Sequence, residues 1–65
     1  MTQEKEYTLK EAAKILGVHR DSILYWERNN MIPKARRNPK NNYRIYSKEE
    51  IQEIAKLRGI KTLFF

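Results

Sequence analysis

One glycine between two short amphipathic segments constrains the fold of this chain more than any other feature. Residues 9–27 read LKEAAKILGVHRDSILYWE, and Gly17 directly follows an apolar stripe. The stripe repeats at i, i+3, i+4 and i+7, which is one face of an α-helix, and its members are Leu9, Ala12, Ala13 and Leu16. A glycine in this position favours the left-handed conformation that ends a helix. The sequence therefore predicts two helices joined by a tight turn.

Both helices carry signals for where they begin. Thr8 precedes the first stripe and Glu11 follows three residues later, a capping box in which each side chain bonds to the other's backbone N–H. The second helix is predicted over residues 20–29, with His19 as its N-cap. Two readings stay open: an ordinary helical hairpin, or a helix-turn-helix that offers its second helix to the major groove of DNA.

The faces of the second helix differ in chemistry. Ile23 and Trp26 are three residues apart, so they face the first helix. The side chains that then point elsewhere are Arg20, Asp21, Ser22 and Tyr25.

The net charge of +6 is concentrated in one segment. Residues 28–48 hold seven cations and no acid, so this segment is +7 and the rest of the chain is −1. The segment also contains Tyr43 and Tyr46. Clustered cations among aromatic side chains are typical of phosphate contact, although the same run in isolation also suits a solvated loop.

The basic segment is predicted to be a two-stranded hairpin, or wing, over residues 34–46. Asn38, Pro39, Lys40 and Asn41 have the composition of a tight connection. Alternation in the second arm places Tyr43 and Ile45 on one face and Arg44 and Tyr46 on the other, and we expect Ile45 to pack on the helices. Before the wing, Pro33 prevents a helix from continuing, and Met31 and Ile32 are expected to fill the core.

A third helix and an apolar tail complete the chain. Ser47 and Glu50 form a second capping box before apolar positions Ile51, Ile54 and Ala55, and Gly59 ends the periodic stretch. We predict a disordered N-terminus at 1–6, one domain at 7–58 and an apolar tail at 59–65. The tail residues expected to serve self-association are Leu63, Phe64 and Phe65.

Several functions are disfavoured by composition. The chain has no Cys and one His, so we expect no disulfide, no metal site and no cofactor. No apolar run is long enough to cross a bilayer, and we expect a cytoplasmic, nucleoid-associated protein. His19 lacks a second imidazole or thiol nearby, and the acids after Ser47 suit a capped helix start. We therefore expect no catalytic residues and no enzyme activity.

The order of these motifs resembles the DNA-binding domain of the MerR family of bacterial transcription regulators. The likeness covers residues 7–57 and rests on the order and spacing of several short motifs. These are 7–9 (YTL), 13–18 (AKILGV), 25–28 (YWER), 31–33 (MIP) and 42–47 (NYRIYS), followed by Glu49, Glu50 and Ile51.

The resemblance implies a mainly α fold: a small winged helix-turn-helix with a two-stranded wing and a third helix that completes the core. It also implies that helix 20–29 enters the major groove and that wing 34–46 holds flanking phosphates. The chain departs from the family pattern at Leu24, where the family often has Arg. We also expect residues 1–65 to hold no counterpart of the long dimerisation helix or the effector domain of the family.

The leading hypothesis is therefore sequence-specific binding of double-stranded DNA by a transcription regulator or its N-terminal domain. An excisionase-like or recombinase-associated architectural factor, and a protein-interaction adaptor with a basic surface, are the alternatives. A homodimer, RNA polymerase and recombination machinery are further partner hypotheses. The residues predicted to bind DNA are Thr8, His19, Arg20, Asp21, Ser22, Tyr25, Arg28, Arg36, Arg37, Lys40, Tyr43 and Arg44.

Overall fold

The computed structural model describes residues 6–61. The predicted disorder of residues 1–6 falls almost wholly outside this range, as does the predicted self-association through Leu63, Phe64 and Phe65. The elements, in chain order, are strand β1 (Tyr7–Thr8), helices α1 (Leu9–Leu16) and α2 (Arg20–Arg28), strands β2 (Arg36–Arg37) and β3 (Arg44–Tyr46), and helix α3 (Lys48–Arg58).

The helix-turn-helix forms as the sequence predicts. The Thr8 hydroxyl accepts from Glu11 N at 3.1 Å, and the Glu11 carboxylate accepts from Thr8 N at 2.9 Å. Gly17 lies in the left-handed region with φ 72°, where glycine avoids the clash of a Cβ. Val18 N then donates to Ala13 O at 3.0 Å, which closes the end of α1.

The strands form one three-stranded antiparallel sheet in the order β1-β3-β2. The predicted two-stranded wing is present as β2 and β3, in which Arg36 pairs with Ile45 and Arg37 with Arg44. The additional strand is β1, which pairs with β3 through Tyr7 and Tyr46. β1 was missed because two residues are too short to show a period, and Thr8 already carried a helix-start signal.

The core lies where the three helices meet the inner face of the sheet. Its buried members come from all three helices, from the segment after α2 and from β3: Ala12, Ala13, Leu16, Ile23, Ile32, Tyr46, Ile51, Ile54 and Ala55. α3 starts at the predicted Ser47 capping box and ends at Gly59, whose φ is 66°. Trp26 is half-buried against this core, and the Arg58 guanidinium carbon lies 5.1 Å from its ring centroid.

Two predicted core positions are wrong. Tyr46, not Ile45, is the residue of β3 that enters the core, at 2% exposure. Tyr46 pairs with Tyr7 of β1, and because paired residues share one face of a sheet, both lie on the face that packs against the core. Met31 is 36% exposed although its neighbour Ile32 is buried. Asn30 takes a left-handed φ of 58° just before them, and the turn directs only Ile32 into the core.

Candidate nucleic-acid interface

A basic groove runs between α2, the start of α1 and the wing. Two adjoining concave surfaces make up this groove, one at the N-terminal end of α2 and one at its C-terminal end. Among residues 6–61, six cations and one carboxylate line it, and these lining residues come from the three elements and their flanking turns. They are Thr8, Leu9, Lys10, Arg20, Leu24, Glu27, Arg28, Asn30, Lys34, Arg37, Asn42, Tyr43 and Arg44.

The carboxylate of Glu27 holds the wing against α2. Oε1 accepts from Arg44 Nε at 2.8 Å, and Oε2 accepts from Ala35 N at 3.1 Å. Glu27 is only 8% exposed, and a buried carboxylate is stable only when it is paired and hydrogen-bonded. The two bonds reach the residue before β2 and the first residue of β3, so one side chain fixes both strands of the wing.

The same carboxylate allows two arginines to lie side by side. Arg37 pairs directly across the strands with Arg44, an arrangement in which like charges repel. The Glu27 charge offsets this repulsion on the Arg44 side, and Arg37 Nη1 donates to Asn42 O at 3.1 Å. The wing thus presents Arg37 and Arg44 toward α2, and the charge of Glu27 compensates for the repulsion between them.

The loop between β2 and β3 is held by its asparagines. Asn38 Oδ1 accepts from Lys40 N at 2.8 Å, and Asn41 Oδ1 accepts from Tyr43 N at 3.0 Å. Asn42 has a left-handed φ of 61°, which asparagine tolerates better than most residues. These bonds place exposed Lys40 in the loop and exposed Tyr43 beside β3.

Arg36 is directed to α3 rather than into the groove. Its Nε and Nη2 donate to the Glu50 carboxylate at 2.9–3.3 Å, and Nη1 lies 3.9 Å from Glu6 Oε2. The hydrogen bond from Arg36 lowers the pKa of Glu50 from its usual value, against the opposing effect of burial. Adjacent residues of β2 therefore have different roles, with Arg37 in the groove and Arg36 bracing α3.

The first turn of α2 lies beside the groove. His19 Nδ1 accepts from Asp21 N at 3.1 Å, so an imidazole that acts as this N-cap carries its proton on Nε2. In that state the 3.5 Å approach of Nδ1 to Asp21 Oδ2 is not an ion pair. His19, Asp21 and Tyr25 are exposed and Ser22 is half-buried.

The structure thus brings together six of the predicted residues in the groove lining: Thr8, Arg20, Arg28, Arg37, Tyr43 and Arg44. Sequence reasoning missed Lys10 and Glu27, and it included Lys34 only as part of the predicted wing 34–46. Lys10 carried no signal beyond its charge. Glu27 did carry one, because it lies four residues after the buried Ile23 and so continues the buried stripe of α2.

The described part of the chain, residues 6–61, contains no group of His, Cys, Asp and Glu that could hold a metal ion. Within the same range, no helix has the length and apolar character to span a membrane.

Helix, glycine turn, helix and an antiparallel wing packed on a third helix define a winged helix-turn-helix domain. Residues 7–64 match the family described as MerR HTH family regulatory protein. The chain therefore belongs to the MerR family of helix-turn-helix regulatory proteins, as the sequence resemblance predicts.

Two curated relatives are similar to this chain over 49 residues, or 75% of it. The Type II methyltransferase M.Eco47II of Escherichia coli is 37% identical, and the match covers 12% of that protein. The HTH-type transcriptional repressor CarA of Myxococcus xanthus is 31% identical, and the match covers 17% of it. The chain therefore spans less than a fifth of the length of either relative.

One solved structure has the same fold. It is the crystal structure of HiNmlR, described as a MerR family regulator lacking the sensor domain, bound to promoter DNA. The superposition gives a TM-score of 0.73 at 18% identity and covers 85% of this chain and 41% of that chain. This likeness confirms the winged helix-turn-helix architecture.

Proposed function

We propose that this domain binds double-stranded DNA in a sequence-specific manner, as a transcription regulator or as the DNA-binding part of one. The observation that carries the proposal is the basic groove, in which six cations from α1, α2 and the wing converge. The one carboxylate among them is committed to Arg44 and Ala35. Cations grouped in this way attract the phosphates of a duplex and release its counterions.

In the proposed complex, α2 enters the major groove and the wing lies on flanking phosphates. The first turn of α2 reads base edges through His19, Arg20, Asp21 and Ser22. Phosphate contacts come from the Thr8 hydroxyl and from cations and aromatic side chains along the groove and the wing, namely Lys10, Tyr25, Arg28, Lys34, Arg37, Lys40, Tyr43 and Arg44. Arg36 is left out of the interface because it is engaged with Glu50.

The domain would serve a larger protein by placing it on DNA. CarA is named as a transcriptional repressor and M.Eco47II as a methyltransferase, and each contains a segment similar to this chain. We propose that DNA binding, rather than catalysis, is the shared contribution of that segment, and that the domain acts in the cytoplasm. A homodimer, RNA polymerase and recombination machinery remain hypotheses for its partners.

Selection of bound duplexes from a random pool, followed by competition with bulk DNA at several salt concentrations, tests this function. We expect one preferred sequence and an affinity that falls steeply with salt. Binding without sequence preference would favour the architectural alternative. Failure to bind duplex DNA at low salt would contradict the proposal and favour an acidic protein partner.

A further inference from the structure

An aliphatic side chain lies within the basic groove. Leu24 is half-buried and lines the C-terminal part of the groove beside Arg28 and Lys34. It lies one helical turn after Arg20 and one turn before Arg28, so these three residues form a stripe along α2. Among residues 6–61, Leu24 is not one of the hydrophobic side chains that form the core or pack against it.

The exposed part of Leu24 is apolar surface that lies next to charged groups and water. Burying this surface against an apolar partner would be favourable. The neighbouring cations can form ionic contacts with phosphates, whereas the aliphatic side chain of Leu24 cannot. An apolar group that duplex DNA offers in the major groove is the C5-methyl of thymine.

We propose that Leu24 is a specificity-determining residue that packs on a C5-methyl group of a pyrimidine in the major groove. The inference rests on the proposed DNA binding and names the chemical group that this part of α2 recognises. Arg20 and Arg28, on either side, hold the flanking DNA so that the methyl group comes to lie against Leu24. The preferred sequence therefore contains a thymine opposite the middle of α2.

Substituting deoxyuridine for each thymine of a selected duplex, one at a time, tests this contact because the change removes only the methyl group. We expect one or two positions at which the parent protein loses about three- to five-fold in affinity, as for one buried methyl-sized group. Leu24→Ala should bind the thymine and deoxyuridine duplexes equally at those positions. The matched control is Leu57→Ala, which removes a leucine that is 47% exposed on α3 and should keep the parent's discrimination.

The melting temperature of Leu24→Ala should equal that of the parent, because Leu24 lies outside the core. A large drop in melting temperature would show that Leu24 is a core residue, and would overturn the inference. Equal loss at the same positions in the parent and in Leu24→Ala would overturn it as well. Either result leaves the proposed function standing if salt-dependent, sequence-specific binding persists, whereas absence of duplex binding by the parent contradicts the function itself.

Discussion

At the scale of single residues, the position of the wing depends on one buried acid. Glu27 contacts Ala35 and Arg44 from the last turn of α2. The sequence places Glu27 on the buried stripe of α2, four residues after Ile23, but its partners lie 8 and 17 residues further along the chain. Such distant pairings depend on the turn after α2 and on the strand register, neither of which leaves a local periodic signal.

Glu27→Ala should lower the free energy of unfolding by about 1–3 kcal/mol, because it leaves Arg44 and Ala35 N without their acceptor in a partly buried site. Arg36→Ala removes the exposed pair with Glu50 and should cost less than about 1 kcal/mol. Urea unfolding of both variants and the parent measures the difference. Equal losses would contradict the role given to Glu27.

The burial of Tyr46 leads to a prediction about the stability of the fold at alkaline pH. Burial raises its pKa to about 12, with the charge of Glu27 acting in the same direction and Arg44 opposing it. In the unfolded chain the Tyr46 hydroxyl ionises near pH 10, before it ionises in the folded protein. The contribution of Tyr46 to the stability of the fold is therefore complete below pH 10 and is lost as the pH rises toward 12. Tyr46→Phe should unfold with a shallower pH dependence in this window, and Tyr25→Phe, which changes an exposed tyrosine, should behave as the parent.

At the scale of elements, the helices could be predicted closely and the sheet only in part. The helix starts follow from Thr8 with Glu11 and Ser47 with Glu50, which are local signals within one turn. The wing was also predicted, but its inward face was not. A strand of three residues gives too few alternations to decide whether Ile45 or Tyr46 faces the core. The strand that decides it is β1, whose residues precede their partners in β3 by 37 or more positions in the sequence.

The turn between α1 and α2 can be tested at Gly17. Apart from the adjacent residues, a Cβ at this position would meet no heavy atom within 4 Å, so substitution acts through the local backbone conformation. Gly17→Ala should cost about 1–2 kcal/mol, the strain of a left-handed residue, and Gly17→Asn should cost less. Thermal unfolding of both variants measures this, and an alanine variant as stable as the parent would show that the turn does not require φ near 72°.

At the scale of the whole molecule, the fold gathers cations that are scattered in the sequence. Lys10, Arg20 and Arg37 meet in one groove although they belong to three elements. The acid-free segment 28–48 indicated the wing as a phosphate-binding surface, but charge alone could not separate Arg36 from Arg37. Arg36 and Arg37 point in different directions because side chains alternate along a strand and because Glu50 on α3 binds Arg36.

These neighbouring arginines provide the most direct test of the basic groove as the DNA-binding surface. The affinity for the selected duplex is measured against salt for the parent, Arg37→Ala and Arg36→Ala. With about six phosphates contacted per domain, the parent slope of log K against log[salt] should be about −5.4. Arg37→Ala should make it shallower by about one unit, and Arg36→Ala should leave it unchanged. A shallower slope for Arg36→Ala with no change for Arg37→Ala would contradict the account, because the DNA would then lie on the α3 side of the wing.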